Sequence, residues 1–517
     1  MKRLPIGVQT FSKLIENNYV YVDKTRDIYN LFSHGGQYYF LSRPRRFGKS
    51  LLVSTIKEIF SGNKSLFKGL WIYDKIGWGK FPVIHLDFTK IDYKTPDILE
   101  NELCLKIDEV AFKNNITINK KGSYISRFAE CIEKLSNEGK VVILVDEYDK
   151  PIIDFIDQKE IALKNRDVLR NFYSVIKGSD EFIQFTLLTG VSKFARVSVF
   201  SGLNNLNDIT VDEKYSTMLG YTQDELEFNF QDRISAMKKK FNLSKRELMD
   251  EIKAWYNGYS WDGKNYLYNP FSILNLFEKM SFGNYWFSSS TPTFLVKTIK
   301  KYAVDIKKID GYESNQLLFD SFDIDRMNIY SLLFHTGYLA IKDVKDISLS
   351  ERIFRFSYPN REVKESFIDY LLAEFAGGLP DEMGVMAYKL QDAIKEDDLE
   401  EFFYIIRSLF ASIPYNIFKG ENESYYHAVI YLILTLVGVR IKTEVQTNIG
   451  RIDAVIESIK NIYILEFKVG TSKQALDQIK EKRYYEKYMV SEKKIKLVGV
   501  GFNVKNRNIS DYNAEEL

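Results

Sequence analysis

The 517-residue sequence contains little cysteine, proline or histidine, with 2, 10 and 4 residues respectively. Cys104 and Cys131 allow at most one disulfide and lack the spacing of a metal site, so we expect a reduced, cytoplasmic environment. Together with 28 glycines, the 10 prolines argue against long disordered linkers. No apolar run follows the first basic residues, and we therefore expect no signal peptide.

Long apolar runs and a large net charge are absent as well. The longest apolar stretch, 428–439, is shorter than the roughly 20 residues that a membrane helix needs, so no membrane partner is expected. The net charge of +2 means that any surface for nucleic acid must be local. With 45% hydrophobic residues, a chain of this length predicts two to four domains of roughly 100–200 residues each.

The first 200 residues alternate apolar strands with helical patterns, which predicts an α/β domain with a largely parallel, doubly wound sheet. Residues 201–300 are expected to continue this domain as a helical lid, and 301–415 to form a mostly helical connecting region. The predicted strands are 37–42, 83–88, 141–149 and 182–190, and the predicted helices are 50–60, 97–113, 124–136 and 161–177.

Residues 416–517 have a different pattern, which predicts a second α/β domain with the order helix–strand–strand–strand–helix–strand. Its predicted helices are 425–436 and 473–488, and its predicted strands are 440–447, 451–457, 461–469 and 495–502.

The segment RPRRFGKS at 43–50 ends like a phosphate-binding loop, which has the form G-x-x-x-x-G-K-[ST]. Gly48 permits close backbone approach, Lys49 reaches the β and γ phosphates, and Ser50 is a ligand for Mg²⁺. Arg43 stands where such a loop has its first glycine. The strand–turn–helix context predicts a phosphate-binding nucleotide site, whereas the alternative is a basic surface loop that is solvated or touches nucleic-acid phosphates.

A second part of such a site is an acid at the end of a neighbouring strand. Asp146 and Glu147 follow the apolar run VVILV, which predicts that Asp146 holds Mg²⁺ and Glu147 activates water. Thr189, Ser192 and Lys193 follow the next strand, where polar residues sense the γ-phosphate. The alternative is that the acidic pair only caps a helix.

Near the C-terminus, two predicted strands carry a second group of charged residues. Asp453 lies on the first strand, and Glu466 and Lys468 lie two apart on the second, on the same face, with Phe467 opposite. Two carboxylates suit Mg²⁺, and the lysine can polarise water that attacks phosphorus. The alternative is a cross-strand salt bridge.

The sequence up to about residue 300 resembles the AAA-ATPase-like family of P-loop proteins. Arginine in place of the first loop glycine is usual in that family, and the resemblance implies that Arg43, Arg45 and Arg46 lie near phosphate. It also suggests that the YVDKT segment helps to line a base pocket, although a packing role is equally open. The similar segments are YVDKT at 21–25, SRPRRFGKSLL at 42–52, LVDEYDKP at 144–151, LTGVSKF at 188–194, FSGLNNL at 200–206, WYNGYS at 255–260, YNPFSI at 268–273 and TPTFL at 291–295.

The last hundred residues resemble the PD-(D/E)XK nuclease-like domain that commonly follows such an ATPase-like domain. Asp453, Glu466 and Lys468 match its D…E-x-K signature, although no proline precedes Asp453. The resemblance implies a catalytic role for Gln478 and a metal-binding role for Glu423. Tyr426 and His427 match the YH pair of the family.

The sequence thus predicts an ATP-hydrolysing protein fused to a Mg²⁺-dependent nuclease that acts on nucleic acid, with DNA favoured over RNA. The alternative is an ATP-switched nucleic-acid-binding or protein-remodelling ATPase with an inactive nuclease fold. A homo-oligomer is a further hypothesis, with Arg196 as a candidate arginine finger. Tyrosines at 484, 485 and 488 alternate with basic residues, which fits either a nucleic-acid-binding face or a solvated helix with its tyrosines in the core.

Overall fold

The chain forms two units in the computed structural model, unit 1 with Met1–Thr291 and Ile309–Lys364, and unit 2 with Pro292–Lys308 and Glu365–Leu517. The structure describes residues 1–33, 35–193, 199, 203–289, 293–302, 304–320, 328–348, 351–413, 423–436, 440–446, 451–503 and 505–517. Within these ranges, the side chains of 289, 293–294, 301, 320, 380, 423–427, 440–444 and 446 are outside the description.

Helices account for most of the regular structure among the described residues. In chain order they are α1 (Phe11–Glu16), α2 (Thr25–Ser33), α3 (Lys49–Phe60), α4 (Pro96–Lys113), α5 (Tyr124–Leu135), α6 (Lys150–Ile153), α7 (Lys159–Gly178), α8 (Gln223–Asn229), α9 (Gln231–Phe241), α10 (Lys245–Tyr256), α11 (Pro270–Lys279), α12 (Thr293–Lys301), α13 (Leu317–Asp320), α14 (Ile329–Thr336), α15 (Arg361–Ala376), α16 (Pro380–Lys395), α17 (Leu399–Ser412), α18 (Glu423–Leu436) and α19 (Ser472–Glu481).

The main sheet of unit 1 is parallel, with the order β2-β3-β4-β1-β5. Its strands are β1 (Tyr38–Ser42), β2 (Val83–Asp87), β3 (Val141–Asp146), β4 (Ile183–Gly190) and β5 (Asn207–Asp208). All residues of β1 and β3 are buried, as expected of a parallel sheet with helices on both faces. The predicted α/β fold and its four strands are confirmed, whereas the sequence pattern does not predict the two-residue β5.

The order of strands in this sheet explains how the predicted phosphate loop and the predicted acids come together. The loop follows β1, the acids follow β3, and β4 lies between these two strands. Because the carboxyl ends of parallel strands meet at one edge, the loop, the acids and the end of β4 share that edge. Helix α3 leads away from it and buries Leu52, Val53 and Ile56.

Among its described residues, unit 1 also contains a small antiparallel sheet with the order β6-β8-β7. Its strands are β6 (Glu313–Ser314), β7 (Ala340–Asp346) and β8 (Arg352–Ser357). The sequence predicts a mostly helical region at 301–415 and does not predict these three strands, because charged residues interrupt the apolar alternation of β7. The predicted boundaries near 300 and 415 stay predictions, since the contacts divide residues 301–415 between the two units.

The end of unit 2 is a mixed sheet with the order β13-β12-β11-β10-β9. Its strands are β9 (Arg440–Gln446), β10 (Arg451–Glu457), β11 (Asn461–Val469), β12 (Lys494–Asn503) and β13 (Asn508–Glu516). Strands β11 and β12 are parallel, and α19 forms the crossover between them. The predicted order of elements is confirmed, but β13 is an addition to it.

The predicted helix 473–488 is shorter than expected. Helix α19 ends at Glu481, and Arg483 has a left-handed backbone with φ of 46°. Such a conformation cannot continue a right-handed helix, so the chain forms a separate 3₁₀ turn over Tyr484–Tyr488.

In the described ranges, no helix combines the length and the apolar character needed to cross a bilayer.

Glu362 in unit 1 gives a testable dependence of stability on pH. Its side chain is fully buried, and burial raises its pKa to about 7, although hydrogen bonds from Ser272 and from Trp286 oppose this shift. Between the ordinary value of 4.5 and about 7, the folded chain therefore keeps a proton that the unfolded chain releases. Stability should fall as pH rises through this window and level off above it.

We expect Glu362→Gln, which stays neutral at every pH, to lose this pH dependence of the unfolding free energy. Relative to the variant, the unmodified protein should lose about 1–3 kcal/mol of unfolding free energy between pH 5 and pH 8. Urea unfolding at both pH values measures this difference. Glu278→Gln, at an exposed position of α11, is the control. Equal pH profiles for the unmodified protein and Glu362→Gln would contradict the expectation.

Candidate functional sites

The predicted phosphate loop lies between β1 and α3, as expected, and its lysine is bound to the loop itself. Lys49 is buried and donates hydrogen bonds to the carbonyl oxygens of Arg43 at 2.9 Å and Pro44 at 3.0 Å. Gly48 has a φ of 97°, which favours glycine at the start of α3. Ser50 follows in the first turn of α3 and is half-buried.

The electrostatic surroundings of Lys49 include the predicted acids. Burial lowers the pKa of Lys49, and the nearby carboxylates of Glu147 and Asp146 oppose this effect. The loop lysine and both predicted acids are therefore close enough to interact, as the topology of the sheet requires. The first N–H groups of α3 have no partner within the helix and, with Lys49, can hold an anion.

Arg43 has a different position from the other two loop arginines. Its guanidinium is buried, lies 4.0 Å from the ring centre of Trp261, and donates to the carbonyl oxygen of Thr210 at 2.7 Å. Burial lowers its pKa to about 9. Arg43 thus fastens the start of the loop to the core, and Arg45 and Arg46 are exposed. Phosphate binding by any of the three stays a prediction.

Asp146 and Glu147 lie at the end of β3 in different environments. Asp146 is buried and accepts a hydrogen bond from Thr189 Oγ1 at 2.6 Å, so the predicted sensor threonine orients the predicted metal ligand. Glu147 is half-buried, and its φ of 52° is left-handed. Such a backbone is uncommon outside glycine, asparagine and aspartate, and it concentrates at functional sites.

Asp149 joins the ends of β3 and β4, a role that sequence reasoning missed. This buried carboxylate accepts hydrogen bonds from the backbone of Val191 at 3.0 Å, and from the backbone and hydroxyl of Ser192 at 2.7 and 2.9 Å. Burial raises its pKa to about 6, while the hydrogen bonds oppose the shift. Its place in the segment DEYDKP is the signal that could have identified it.

Lys193 is buried and forms an ion pair with Asp208 of β5 at 2.6 Å. This arrangement holds the predicted sensor lysine at the edge of the sheet next to the loop. Arg196, the candidate arginine finger, lies outside the described residues.

A cavity of about 80 Å³ lies beside the phosphate loop. Gly48 of the loop, Leu51 of α3, and Tyr21 and Lys24 of the YVDKT segment are among the residues that line it. Its wall is mostly apolar, which suits the flat face of a nucleobase. The base-pocket hypothesis for this segment stays a prediction that this geometry supports.

The C-terminal site is formed by the hairpin of β10 and β11. The antiparallel register pairs Ala454 with Leu465, which places Asp453 opposite Glu466. Asp453 accepts a hydrogen bond from the backbone of Phe467 at 2.9 Å, and its own backbone N–H donates to Glu466 at 3.4 Å. The hairpin thus places Asp453 and Glu466 next to each other, and their role as a site stays a prediction.

Helix α19 adds Gln478 to these carboxylates. Gln478 accepts a hydrogen bond from Lys468 Nζ at 2.9 Å and donates one to Glu466. Because one glutamine contacts both side chains, Glu466 and Lys468 lie on the same face of β11, as the period of two predicts. The contact described for Lys468 is this hydrogen bond to Gln478. It differs from the cross-strand salt bridge of the alternative interpretation.

The charge of this group fits a divalent cation. Glu466 is buried, and burial together with repulsion from Asp453 raises its pKa to about 8. A cation between the two carboxylates would remove that repulsion, and oxygen ligands of this kind suit Mg²⁺. Among the described residues, no group of three or more possible metal ligands is found. The side chains of Glu423, Tyr426 and His427 are outside the description, so the metal-binding role of Glu423 stays a prediction.

The three tyrosines that follow α19, at 484, 485 and 488, pack against the core of this domain. Tyr484 and Tyr488 are 3% and 8% exposed, and Tyr485 packs against the same core. Lys482, Arg483 and Lys487 are exposed. The geometry therefore favours a solvated surface with its tyrosines in the core, since Tyr484 and Tyr488 are too buried to stack on bases and Tyr485 is partly buried.

Two family models match the chain, in the same order as the two sites. The predicted AAA-ATPase model, named AAA-ATPase-like, matches residues 5–200, and the PD-(D/E)XK nuclease superfamily model matches residues 421–512. A protein of Azotobacter chroococcum mcd 1, described as an uncharacterized protein in the vnfD 5′ region, is 39% identical over 531 residues. The alignment covers 100% of this chain and 99% of the relative. The chain therefore belongs to the AAA-ATPase-like family of proteins and carries a C-terminal domain of the PD-(D/E)XK nuclease superfamily.

Proposed function

We propose that the protein binds and hydrolyses ATP in unit 1 and cleaves phosphodiester bonds of nucleic acid in unit 2, with Mg²⁺ at both sites. The observation that supports this most is that each unit brings a lysine and two carboxylates together from separate elements. DNA is favoured over RNA as the substrate, and the compartment is proposed to be the cytoplasm.

In the ATP site, Lys49 would leave the carbonyl oxygens of Arg43 and Pro44 and bind the phosphates. Ser50 and Asp146 would hold Mg²⁺, which neutralises charge on the phosphates when bound. Glu147 would orient the attacking water and accept its proton. Asp149 would keep the ends of β3 and β4 together while Thr189 orients Asp146.

In the nuclease site, Asp453 and Glu466 would hold Mg²⁺, with Glu423 as a further proposed ligand. The cation would stabilise negative charge that develops on the scissile phosphate. Lys468, held by Gln478, would position the water that attacks phosphorus and stabilise that charge as well. Binding requires Glu466 to give up the proton that its raised pKa favours in the metal-free protein.

Lys49→Ala tests the ATP site. Removal of a charged phosphate ligand should weaken ATP binding at least about tenfold and abolish turnover, since such bonds contribute about 1.5–3 kcal/mol. Fluorescence titration with a labelled ATP analogue and phosphate release measure the two effects. Lys57→Ala, an exposed position in the same helix, is the matched control. Unchanged affinity and turnover in Lys49→Ala would favour the surface-loop alternative.

Lys468→Ala tests the nuclease site. Loss of an electrostatic group at the reacting phosphate should slow cleavage about 100-fold or more. Plasmid DNA and single-stranded RNA, each incubated with Mg²⁺, provide the assay, and Lys473→Ala at an exposed position of α19 is the control. Nucleic-acid binding without Mg²⁺-dependent cleavage by the unmodified protein would favour the alternative, an ATP-switched binding protein. Cleavage that survives in Lys468→Ala would show that this site is not responsible.

A further inference from the structure

One backbone carbonyl of the phosphate loop is held by a residue far along the chain. The indole Nε1 of Trp286 donates a hydrogen bond of 3.0 Å to the carbonyl oxygen of Arg45. Trp286 is 1% exposed, and both residues belong to unit 1. The AAA-ATPase-like model matches only residues 5–200, so this contact comes from outside the matched segment.

Trp286 is itself held by a buried carboxylate. Its backbone N–H donates to Glu362 Oε1 at 2.6 Å, and the hydroxyl of Ser272 donates to Glu362 Oε2 at 2.8 Å. The backbone N–H groups of Tyr285 and Phe287 also contribute hydrogen bonds to this carboxylate. Because the buried Glu362 carboxylate accepts several hydrogen bonds, it fixes the backbone around Trp286 and thereby the position of the indole ring.

The bond to Arg45 constrains the direction of a backbone N–H in the loop. In a trans peptide, the carbonyl and the following N–H point in opposite directions, so a fixed Arg45 carbonyl also fixes the Arg46 N–H. Arg46 has a left-handed backbone with φ of 66°. A left-handed residue in a turn lets successive N–H groups converge into a concavity that binds anions.

The same region also packs against the loop through Pro44. Gly337 has a φ of 91°, and a Cβ atom built there would lie 2.7 Å from Pro44 Cγ and 3.3 Å from the Trp286 ring. Only glycine permits so close an approach of residue 337 to both Pro44 and the Trp286 ring. The loop therefore has a defined conformation although it lacks the first glycine of the usual motif.

We propose that Trp286 and Glu362 are positioning residues of the phosphate loop, Trp286 by holding the Arg45 carbonyl and Glu362 by holding Trp286. Together they hold the Arg46 N–H in the direction that suits a phosphate oxygen before the nucleotide binds. This inference rests on the proposed ATP site. Its ligand is the polyphosphate part of the nucleotide and not the base.

Trp286→Phe removes the N–H and keeps an aromatic ring. We expect the dissociation constant for a fluorescent ATP analogue to rise about 3- to 10-fold, the equivalent of one lost hydrogen bond. Trp78→Phe is the matched control, because the Trp78 indole donates to the carbonyl oxygen of Tyr73, also at 3.0 Å, outside the loop. The control should bind the analogue like the unmodified protein, while thermal melting reports the structural cost of each change.

Displacement of the analogue by tripolyphosphate distinguishes positioning from a general loss of structure. Trp286→Phe should weaken the binding of tripolyphosphate by the same factor as the binding of the analogue. Glu362→Ala should weaken both more than Glu362→Gln does, because glutamine keeps one acceptor oxygen. Weakened analogue binding with unchanged tripolyphosphate binding would overturn the inference, as would equal losses in Trp286→Phe and Trp78→Phe.

The outcomes separate this inference from the proposed function. If the unmodified protein binds the analogue and Trp286→Phe binds it equally well, the positioning role is wrong and the ATP site stands. If the unmodified protein does not bind the analogue, the positioning role and the proposed ATP site are both wrong. If Trp286→Phe does not fold, 3-benzothienylalanine at position 286 replaces the N–H by sulfur at nearly constant shape, and the same comparison applies.

Discussion

A charged group inside a protein needs a partner, and the pairing of buried charges determines which side chains meet in both units. In unit 1, Lys49 binds carbonyl oxygens of its own loop, and Asp149 binds the end of β4. In unit 2, Glu466 is bound by Gln478, which also binds Lys468. In unit 1 these groups lie at the ends of strands and at the start of α3, and in unit 2 they lie within β11 and α19. In both units the hydrogen bonds fix how the groups face each other.

The parts of the fold that local sequence determines are predictable. Apolar runs locate β1 to β4 and β9 to β12, and the period of two places Glu466 and Lys468 on one face. The motif GKS and the acids after VVILV are close enough to known chemistry to be identified from their residue types alone. Short strands such as β5 are not predictable, because two residues carry no periodic pattern.

Contacts between distant segments are the parts that sequence reasoning cannot supply. Arg43 resembles a phosphate ligand because it is basic and stands in the loop, yet its guanidinium binds Thr210 and stacks on Trp261. Nothing in the segment around 43 indicates either partner. The same applies to Trp286 and Glu362, which lie outside every motif identified in the sequence and come near the loop only when the chain is folded.

The hydrogen bond between Trp286 and Arg45 also has a consequence for the order of events during synthesis. A chain that emerges from the ribosome N-terminus first exposes the phosphate loop long before residues 286 and 362 exist. Until then the Arg45 carbonyl lacks this donor. By contrast, Asp453, Glu466, Lys468 and Gln478 of the C-terminal site lie within one short segment, so they leave the ribosome almost together. The phosphate loop thus reaches its final geometry only after distant residues have been synthesised, whereas the C-terminal group forms from residues that are close in the sequence.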